Sequence, residues 1–392
     1  MIDQILAVTA INLRSIPQRA GLSLATVFSI ALVVAVLLGF LAMANGFAAT
    51  MSSSGREDVA VMLRAGSQAE LNSGISREGV RLIEEAPGIA RDASDVAIIS
   101  GELYVIVDGI KRSSQTDANI TLRGVGPNAP MLREDFTITA GRMVEPGTNE
   151  LLVGEAILRE FEGFDLGSSI RLGTNEWVVV GLFSTGGSVF ESEIWADLPI
   201  IQNLYQRGTT VQSIRALLSS PDAIDALREF AENEPRLNLD IESESDFVAG
   251  QAGGTADLIR FLGWPLAIAM AIGALAGAWN TMYSSVDARM REIATLRAIG
   301  FGGFPAAVGT MVESLLLAAT GGLIGSAAVY LLFDGLSAST LGTGFTQIVF
   351  TFSVTPDAIG QGMVLALIVG FLGGLIPAIR SATVPLLAVH RG

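Results

Sequence analysis

The chain has 392 residues, of which half are apolar and only 16% are charged, and its mean hydropathy is +0.52. This composition indicates a membrane protein that also carries a water-exposed part. Cysteine is absent and His390 is the single histidine, which excludes a disulfide scaffold and argues against a cysteine or histidine metal site or a Ser-His-Asp triad.

The N-terminal region predicts a short helix followed by a membrane span. Residues 1–21 form an amphipathic pattern with one apolar side made of Ile5, Leu6, Thr9, Leu13 and Ile16. An uncharged run then extends from Ala20 to Gly55. Its apolar part, residues 22–47, exceeds the roughly 20 residues that a helix needs to cross a bilayer.

Residues 48–257 differ in composition, because 33 acidic residues stand against 16 basic ones. An acidic domain of this kind makes a nucleic-acid partner unexpected. Short apolar or alternating runs between turn residues predict strands at 59–64, 96–107, 119–125, 150–153, 169–172, 176–183, 193–197, 211–218 and 237–241. Helix starts are expected at Ser76, Gly154, Pro199, Ser220 and Ser243. The mixture predicts an α+β domain.

Three more apolar runs predict membrane helices at 258–286, 305–333 and 357–379. They leave a segment at 287–304, a short loop at 334–356 and a tail at 380–392. The predicted fold is therefore membrane α-helical, with four transmembrane helices and the α+β domain inserted between the first and the second.

Arginine placement predicts the orientation. In the four-helix topology one side collects Arg14, Arg19, Arg289, Arg291, Arg297, Arg380 and Arg391. The loop at 334–356 on the other side has no lysine or arginine. By the positive-inside rule, both termini and the 287–304 segment are cytoplasmic, and the large domain lies outside the cytoplasm.

The segment 287–300 predicts an amphipathic helix. Val286, Met290 and Ile293 share a stripe, with Leu296 near its edge, while Asp287/Arg291 and Arg289/Glu292 are spaced for ion pairs. Gly300 and Pro305 separate this helix from the next span. Such a basic helix lies on anionic lipid or docks into a partner, and the pattern alone leaves both open.

No catalytic motif is present. Lys111 is the only lysine and no Gly-Lys-Ser/Thr occurs, so these residues contain no P-loop. Glu313 is the one charged residue inside the apolar runs 20–55, 261–286, 305–333 and 358–379. It is expected to bond to a neighbouring span or to pair with an arginine of the 287–300 helix. A proton-coupling role is the less favoured alternative, since no second intramembrane carboxylate is available as a relay.

Glycines recur at four-residue spacing in three predicted spans, as Gly273/Gly277, Gly321/Gly325 and Gly370/Gly374. This spacing lets another helix approach closely. It predicts tight packing, including packing in a dimer.

Several segments together resemble one known family. They are ARMREIATLRAIGFGG at 288–303, MVESLLLAATGGLIG at 311–325, and the tail LIPAIRSATVPLLAVHRG at 375–392, where Pro377, Ala378, Ala382, Pro385 and Arg391 carry the match. In the outer domain they are RGVGPNAP at 123–130, ITAGRMVEPGTNELLVGEAI at 138–157 and WVVVGLF at 177–183. The chain thereby resembles the MacB/FtsX-like permeases of ABC transporters, with an outer domain of the MacB periplasmic core type.

The resemblance implies a permease subunit that works as a dimer with separate cytoplasmic ATPase subunits. ATP and Mg²⁺ would be bound by those partners, so no cofactor is expected here. In the family, the loop after the second span is a coupling helix held by the ATPase, and its movement is relayed to the outer domain, an action called mechanotransmission. This assigns ATPase coupling to Arg289, Met290, Arg291, Glu292, Ile293, Leu296, Arg297 and Gly300. We expect Met290, Ile293 and Leu296 to form the apolar contact, while Arg289 also reaches membrane lipid.

Residues 278–299 contain no glycine or proline, which favours a stiff helical rod for this relay. The expected function is efflux or extraction of a hydrophobic or amphipathic substrate from the bacterial inner membrane, together with a periplasmic adaptor. Lipoprotein release by a Lol-like permease remains open. Regulation of cell-wall hydrolases, as by FtsX, is a further alternative that the type of outer domain disfavours.

Overall fold

The computed structural model describes residues 2–173, 175–341 and 347–383. The tail beyond Thr383, including Pro385, His390 and Arg391, lies outside the described residues. The helices, in chain order, are α1 Ile2–Arg14, α2 Ala20–Ser52, α3 Arg77–Glu84, α4 Glu155–Glu160, α5 Leu198–Leu204, α6 Ile224–Asn233, α7 Glu244–Ala288, α8 Met290–Ala298, α9 Gly303–Phe333 and α10 Pro356–Thr383. The strands are β1 Val59–Arg64, β2 Ile99–Ile110, β3 Asp117–Val125, β4 Thr137–Gly141, β5 Glu150–Gly154, β6 Ser169–Leu172, β7 Asn175–Ser184, β8 Glu193–Asp197, β9 Ser213–Leu217, β10 Leu239–Ser243, β11 Ser337–Leu341 and β12 Gln347–Thr351.

The chain folds into two compact units. One is helical and contains the described residues of 1–45, 257–336 and 352–392, and the other is an α+β unit of residues 46–256 and 337–351. Within the described residues, four helical segments are long and apolar enough to cross a membrane: Ile16–Ser52, Glu244–Ala288, Gly303–Phe333 and Pro356–Thr383. The predicted fold class, a four-helix membrane part with an inserted α+β domain, is confirmed.

The second long helix begins earlier than its apolar sequence. It starts at Glu244, within the segment assigned to the outer domain, because the Ser243 hydroxyl accepts a hydrogen bond from the Asp246 N–H at 3.0 Å. At its other end α7 stops at Ala288, and Arg289 leaves helical geometry with φ −104° and ψ 10° before α8 begins. The expectation of an unbroken rod over 278–299 is therefore wrong.

Glycines set the close helix contacts in the helical unit. A Cβ added to Gly321 would stand 2.7 Å from the Val27 carbonyl oxygen of α2, and one added to Gly374 would stand 2.6 Å from the Ser314 Cβ of α9. Gly325 and Gly370 likewise contact α2 and α9. These two glycine pairs therefore pack inside one chain rather than against a second copy. Gly273 and Gly277 have no such neighbour within 4 Å among the described residues.

The α+β unit contains one large mixed sheet with the order β10-β1-β9-β2-β3-β8-β5-β7-β4, and β6 pairs with β7. Strand β2 joins its two halves, because residues 99–102 pair with β9 and residues 103–110 pair with β3. Each half has its own apolar core, one around Met62, Ile83 and Leu227 and the other around Phe161 and Trp177.

All nine strands predicted in residues 48–257 are present, as are helices beginning at or near the five predicted starts. The sequence missed β4, which is short and largely exposed. It also missed β11 and β12, which form an antiparallel hairpin within the segment predicted as a short loop at 334–356. This hairpin belongs to the α+β unit.

Candidate coupling site

The carboxylate of Glu313 in α9 is the centre of a buried charged cluster in the helical unit. Glu313 is 1% exposed, its Oε2 lies 2.6 Å from Nη2 of Arg289, and its Oε1 lies 3.2 Å from Nη2 of Arg19. Ser285 completes this Glu313 cluster by hydrogen bonding to Glu313, Arg289 and Arg19. A buried carboxylate is stable only with such partners. The cluster thus fixes the α7–α8 junction and the start of α2 to α9.

Arg289 has a different position from the one predicted. It is 5% exposed, so it is not part of the exposed partner-facing or lipid-facing surface of α8. Its predicted pairing with Glu292 is replaced by the pair with Glu313. The predicted pair of Asp287 with Arg291 is also replaced, since Asp287 accepts from Arg380 at 2.9 Å.

The apolar stripe of α8 faces its own chain. Ile293 and Ala294 are buried, and with Met290 they pack against Val286 and Ala306. Leu296 and Arg297 are half-buried and line a small cavity with residues of α1. The expected apolar contact through Met290, Ile293 and Leu296 is therefore internal packing, because these side chains cover the start of α9.

The opposite face of α8 is exposed. It consists of Arg291, Glu292, Thr295, Ala298 and Ile299, of which Ile299 is 70% exposed. Gly300 adopts φ +103°, in the region that only glycine enters freely, and ends the helix as the sequence predicts. We call this set the exposed face of α8.

Helix α1 packs against α9 beside this site. Val8 and Asn12 are its buried residues, and both meet Gly309 of α9, where an added Cβ would stand 2.8 Å from the Asn12 Nδ2 atom. The predicted apolar side of α1 is only partly right, because Leu6 is exposed and the helix ends at Arg14 before Pro17.

The α+β unit contains a second charged cluster that sequence reasoning missed. Its members are all buried and come from the loop after β1, from strands β2, β3, β8 and β9, from the loop before β4 and from the start of α7. They are Glu70, Glu102, Arg123, Arg133, Glu193, Arg215 and Glu244. We call this set the buried ionic network.

Arginines link the members of the network across the sheet. Arg123 lies 2.9 Å from Glu70, 3.0 Å from Glu102 and 2.6 Å from Glu193. Arg215 lies 2.8 Å from Glu70, 2.7 Å from Glu102 and 3.1 Å from Glu244. Arg133 lies 2.8 Å from Glu102 and stacks 4.1 Å above the Phe190 ring. The signal in the sequence was a charged residue at an inward-facing position of an apolar strand, as in the Ser-Ile-Arg-Ala-Leu run of β9.

Burial would raise the pKa of Glu70, but Arg123 and Arg215 outweigh it and hold the pKa well below its usual range. The pKa of Glu102 is lowered in the same way, because Arg133 and Arg215 outweigh its burial. Among the described residues, no group of His, Cys, Asp or Glu is placed to hold a metal ion. The network consists of ion pairs and contains neither a nucleophile nor a set of metal ligands. Its role is therefore structural, because the ion pairs hold the strands of the sheet together.

The fold defines the class of protein: a membrane protein whose water-exposed α+β unit is inserted after the first long helix. Comparison with known families identifies it. The MacB-like periplasmic core domain matches residues 23–233, and the FtsX-like permease C-terminal domain matches residues 265–386. The chain therefore belongs to the MacB/FtsX-like ABC transporter permeases, which confirms the resemblance seen in the sequence.

Two relatives are macrolide export ATP-binding/permease proteins named MacB. The protein from Nitrosomonas europaea is 25% identical over 252 residues, which cover 60% of this chain and 37% of the relative. The protein from Bdellovibrio bacteriovorus is 22% identical over 403 residues, which cover 93% of this chain and 58% of the relative. The chain thus spans between about a third and three-fifths of the length of these relatives.

Solved structures also show similarity to part of the chain. The periplasmic region of MacB from Actinobacillus actinomycetemcomitans is 13% identical, with a TM-score of 0.36, and the match covers 50% of this chain and 92% of that one. The extracellular domain of the noncanonic ABC-type transporter YknZ from Gram-positive bacteria is 14% identical, with a TM-score of 0.34, covering 47% and 100%.

Proposed function

We propose that this permease transmits ATP-driven movement from an ABC ATPase subunit to its α+β domain by mechanotransmission. The observation that carries the proposal is the Glu313 cluster, which ties the base of α8 to α9 and to the start of α2. Since Ser285 of α7 also bonds to Glu313, a displacement of α8 is thereby passed to α2, α7 and α9 at once. The exposed face of α8 is the docking surface, and it replaces the apolar stripe in that role.

An ABC ATPase is the proposed partner because the chain belongs to the permeases of ABC transporters. ATP and Mg²⁺ are bound by that partner. The arginine distribution supports a cytoplasmic location for α8 and both termini, and a periplasmic or otherwise extracytoplasmic location for the α+β domain. We place the chain in the bacterial inner membrane as a homodimer.

The transported molecule is proposed only as a class. The two relatives are named for macrolide export, which supports efflux or extraction of a hydrophobic or amphipathic substrate. A periplasmic adaptor is proposed as a further partner. A Lol-like role in lipoprotein release and an FtsX-like role in regulating cell-wall hydrolases are the alternatives. Purified complexes containing an adaptor would favour efflux over both.

The docking surface is tested by co-expressing the tagged permease with a candidate ABC ATPase subunit. Arg291→Glu combined with Ile299→Glu reverses a charge and removes an apolar contact on the exposed face of α8, so the ATPase should no longer copurify. The matched control is Arg207→Glu, an exposed arginine of the α+β unit. Equal recovery of ATPase with the wild type and the double variant would refute the proposed docking.

A further inference from the structure

The β11–β12 hairpin is the connection between α9 and α10, and it is folded onto the α+β unit. Val349 and Phe350 of β12 are 6% and 2% exposed. The Phe350 ring meets Phe47 edge-on with centroids 5.7 Å apart, and the Val349 N–H donates to the Ser192 hydroxyl at 3.0 Å. Apolar burial and a specific hydrogen bond therefore hold one strand of the hairpin in place.

A polar contact fixes both strands of the hairpin. Nζ of Lys111, the only lysine in the chain, donates to Ser339 Oγ of β11 at 2.6 Å and to Gln347 Oε1 of β12 at 3.2 Å. The same ammonium lies 4.0 Å from Glu160, which also accepts from Ser339 at 3.3 Å. The Lys111 side chain is 17% exposed, so its charge is largely withdrawn from solvent. We call these four side chains the Lys111 contact.

Along the sequence, the hairpin lies between two helices of the helical unit, although it belongs to the α+β unit. The chain passes between the two units at four places, near residues 45, 256, 336 and 351. Two of the passages are the helices α2 and α7, and the other two are the ends of the hairpin. Helix α9, which enters the hairpin, also carries Glu313. Only a hairpin that is anchored to the α+β unit can pass movement of α9 or α10 to that unit.

We propose that Lys111 is a positioning residue that anchors the α9–α10 connection, so that the α+β unit receives movement through α9 and α10 as well as through α2 and α7. The route runs from α8 through Arg289 and Glu313 into α9, and from there through the hairpin to Lys111 and Ser192. Its mechanical consequence rests on the proposed function, while the anchoring itself does not.

The anchoring is tested by amide hydrogen exchange on the full-length permease. Lys111→Met keeps the aliphatic stem and removes the ammonium, so the amides of 347–351 should exchange on the order of tenfold faster, as expected for the loss of charged hydrogen bonds. Lys111→Arg should restore much of the protection. Arg112→Met, which removes the adjacent exposed cation, should leave exchange in the hairpin unchanged. Equal exchange in Lys111→Met and Arg112→Met would overturn the anchoring role.

The mechanical role is tested in the complex with the ATPase. Because the chain has no cysteine, Lys111→Cys with Ser339→Cys can be joined selectively by a short reducible bis-thiosulfonate reagent. The joined form should show the wild-type change in exchange of the α+β unit on ATP addition. The reduced form should show a smaller change while still binding ATPase, because α2 and α7 still pass movement to the unit. An equal ATP response in both forms would overturn the second route. A wild-type complex that forms but gives no ATP response would overturn the proposed function together with this route, and the exchange experiment would still decide the role of Lys111.

Discussion

Glu313 shows how one side chain can hold elements that are far apart in sequence. Its two arginine partners stand before the first long helix and after the second. The sequence identified Glu313 as unusual because an isolated carboxylate in a span is costly. It could not select Arg289 over Arg291 or Arg297, because that choice depends on the helix break at Arg289.

Glu313→Gln should destabilise this region strongly. The substitution keeps the shape but leaves Arg289 and Arg19 without a counter-charge, and breaking a buried ion pair in this way costs about 3–5 kcal/mol. We expect a lower thermal unfolding midpoint in detergent and faster hydrogen exchange in α8. The control is Glu292→Gln, which removes an exposed carboxylate of α8 about one turn after Arg289. This variant should behave as wild type. Similar midpoints for the two variants would show that the cluster contributes little.

At the scale of elements, the buried ionic network joins strands from both halves of the sheet. Arg123 from β3 and Arg215 from β9 share Glu102 of β2, the strand that belongs to both halves. Glu70 and Glu102 stabilise the fold only while they are ionised, since protonation of either would leave buried arginines unpaired. The α+β unit should therefore be sensitive to acid.

The pKa values of Glu70 and Glu102 are lower in the folded chain than the usual 4.5. The unfolded state thus binds protons first as pH falls, and the stability that these groups contribute is complete above pH 4.5 and declines below it. Urea unfolding of full-length protein followed by tryptophan fluorescence at pH 7, 5 and 4 measures this decline. Glu70→Gln should be less stable at pH 7 and lose less stability between pH 5 and pH 4. A wild type with constant stability over this range would contradict the prediction.

Helices and strands could be predicted from the sequence where a local pattern is compatible with only one structure. The short apolar runs of β1 and β8 and the cap at Ser76 are local signals, and the structure has them as predicted. The stripe of α8 was also real, but periodicity shows only that Ile293 is buried, and not whether its own chain or a partner covers it. The hairpin was missed because its segment has no charge pattern or long apolar run, and its order comes from distant partners such as Lys111 and Ser192.

At the scale of the whole molecule, the three glycine pairs differ in whether a helix of the same chain packs against them. Gly321/Gly325 and Gly370/Gly374 are used by α2 and α9 of the same chain. In the described part of the chain, a Cβ added to Gly273 or Gly277 of α7 meets no atom within 4 Å, and large apolar side chains such as Phe261 and Ile272 on α7 are also exposed. The proposed homodimer therefore has α7 as its best available contact.

Gly273→Leu with Gly277→Leu should separate the copies without disturbing the fold of each. The added side chains meet nothing in their own chain but prevent close approach of a second helix, so the particle mass measured by light scattering in detergent should fall toward that of one chain. Gly360→Leu makes the same change at an exposed, unpacked position of α10 and should leave the dimer intact. The thermal unfolding midpoint should be similar for the double variant and Gly360→Leu, which would show that each chain is still folded. A dimer that survives the double substitution would place the contact on another helix, and Gly273 and Gly277 would then face lipid.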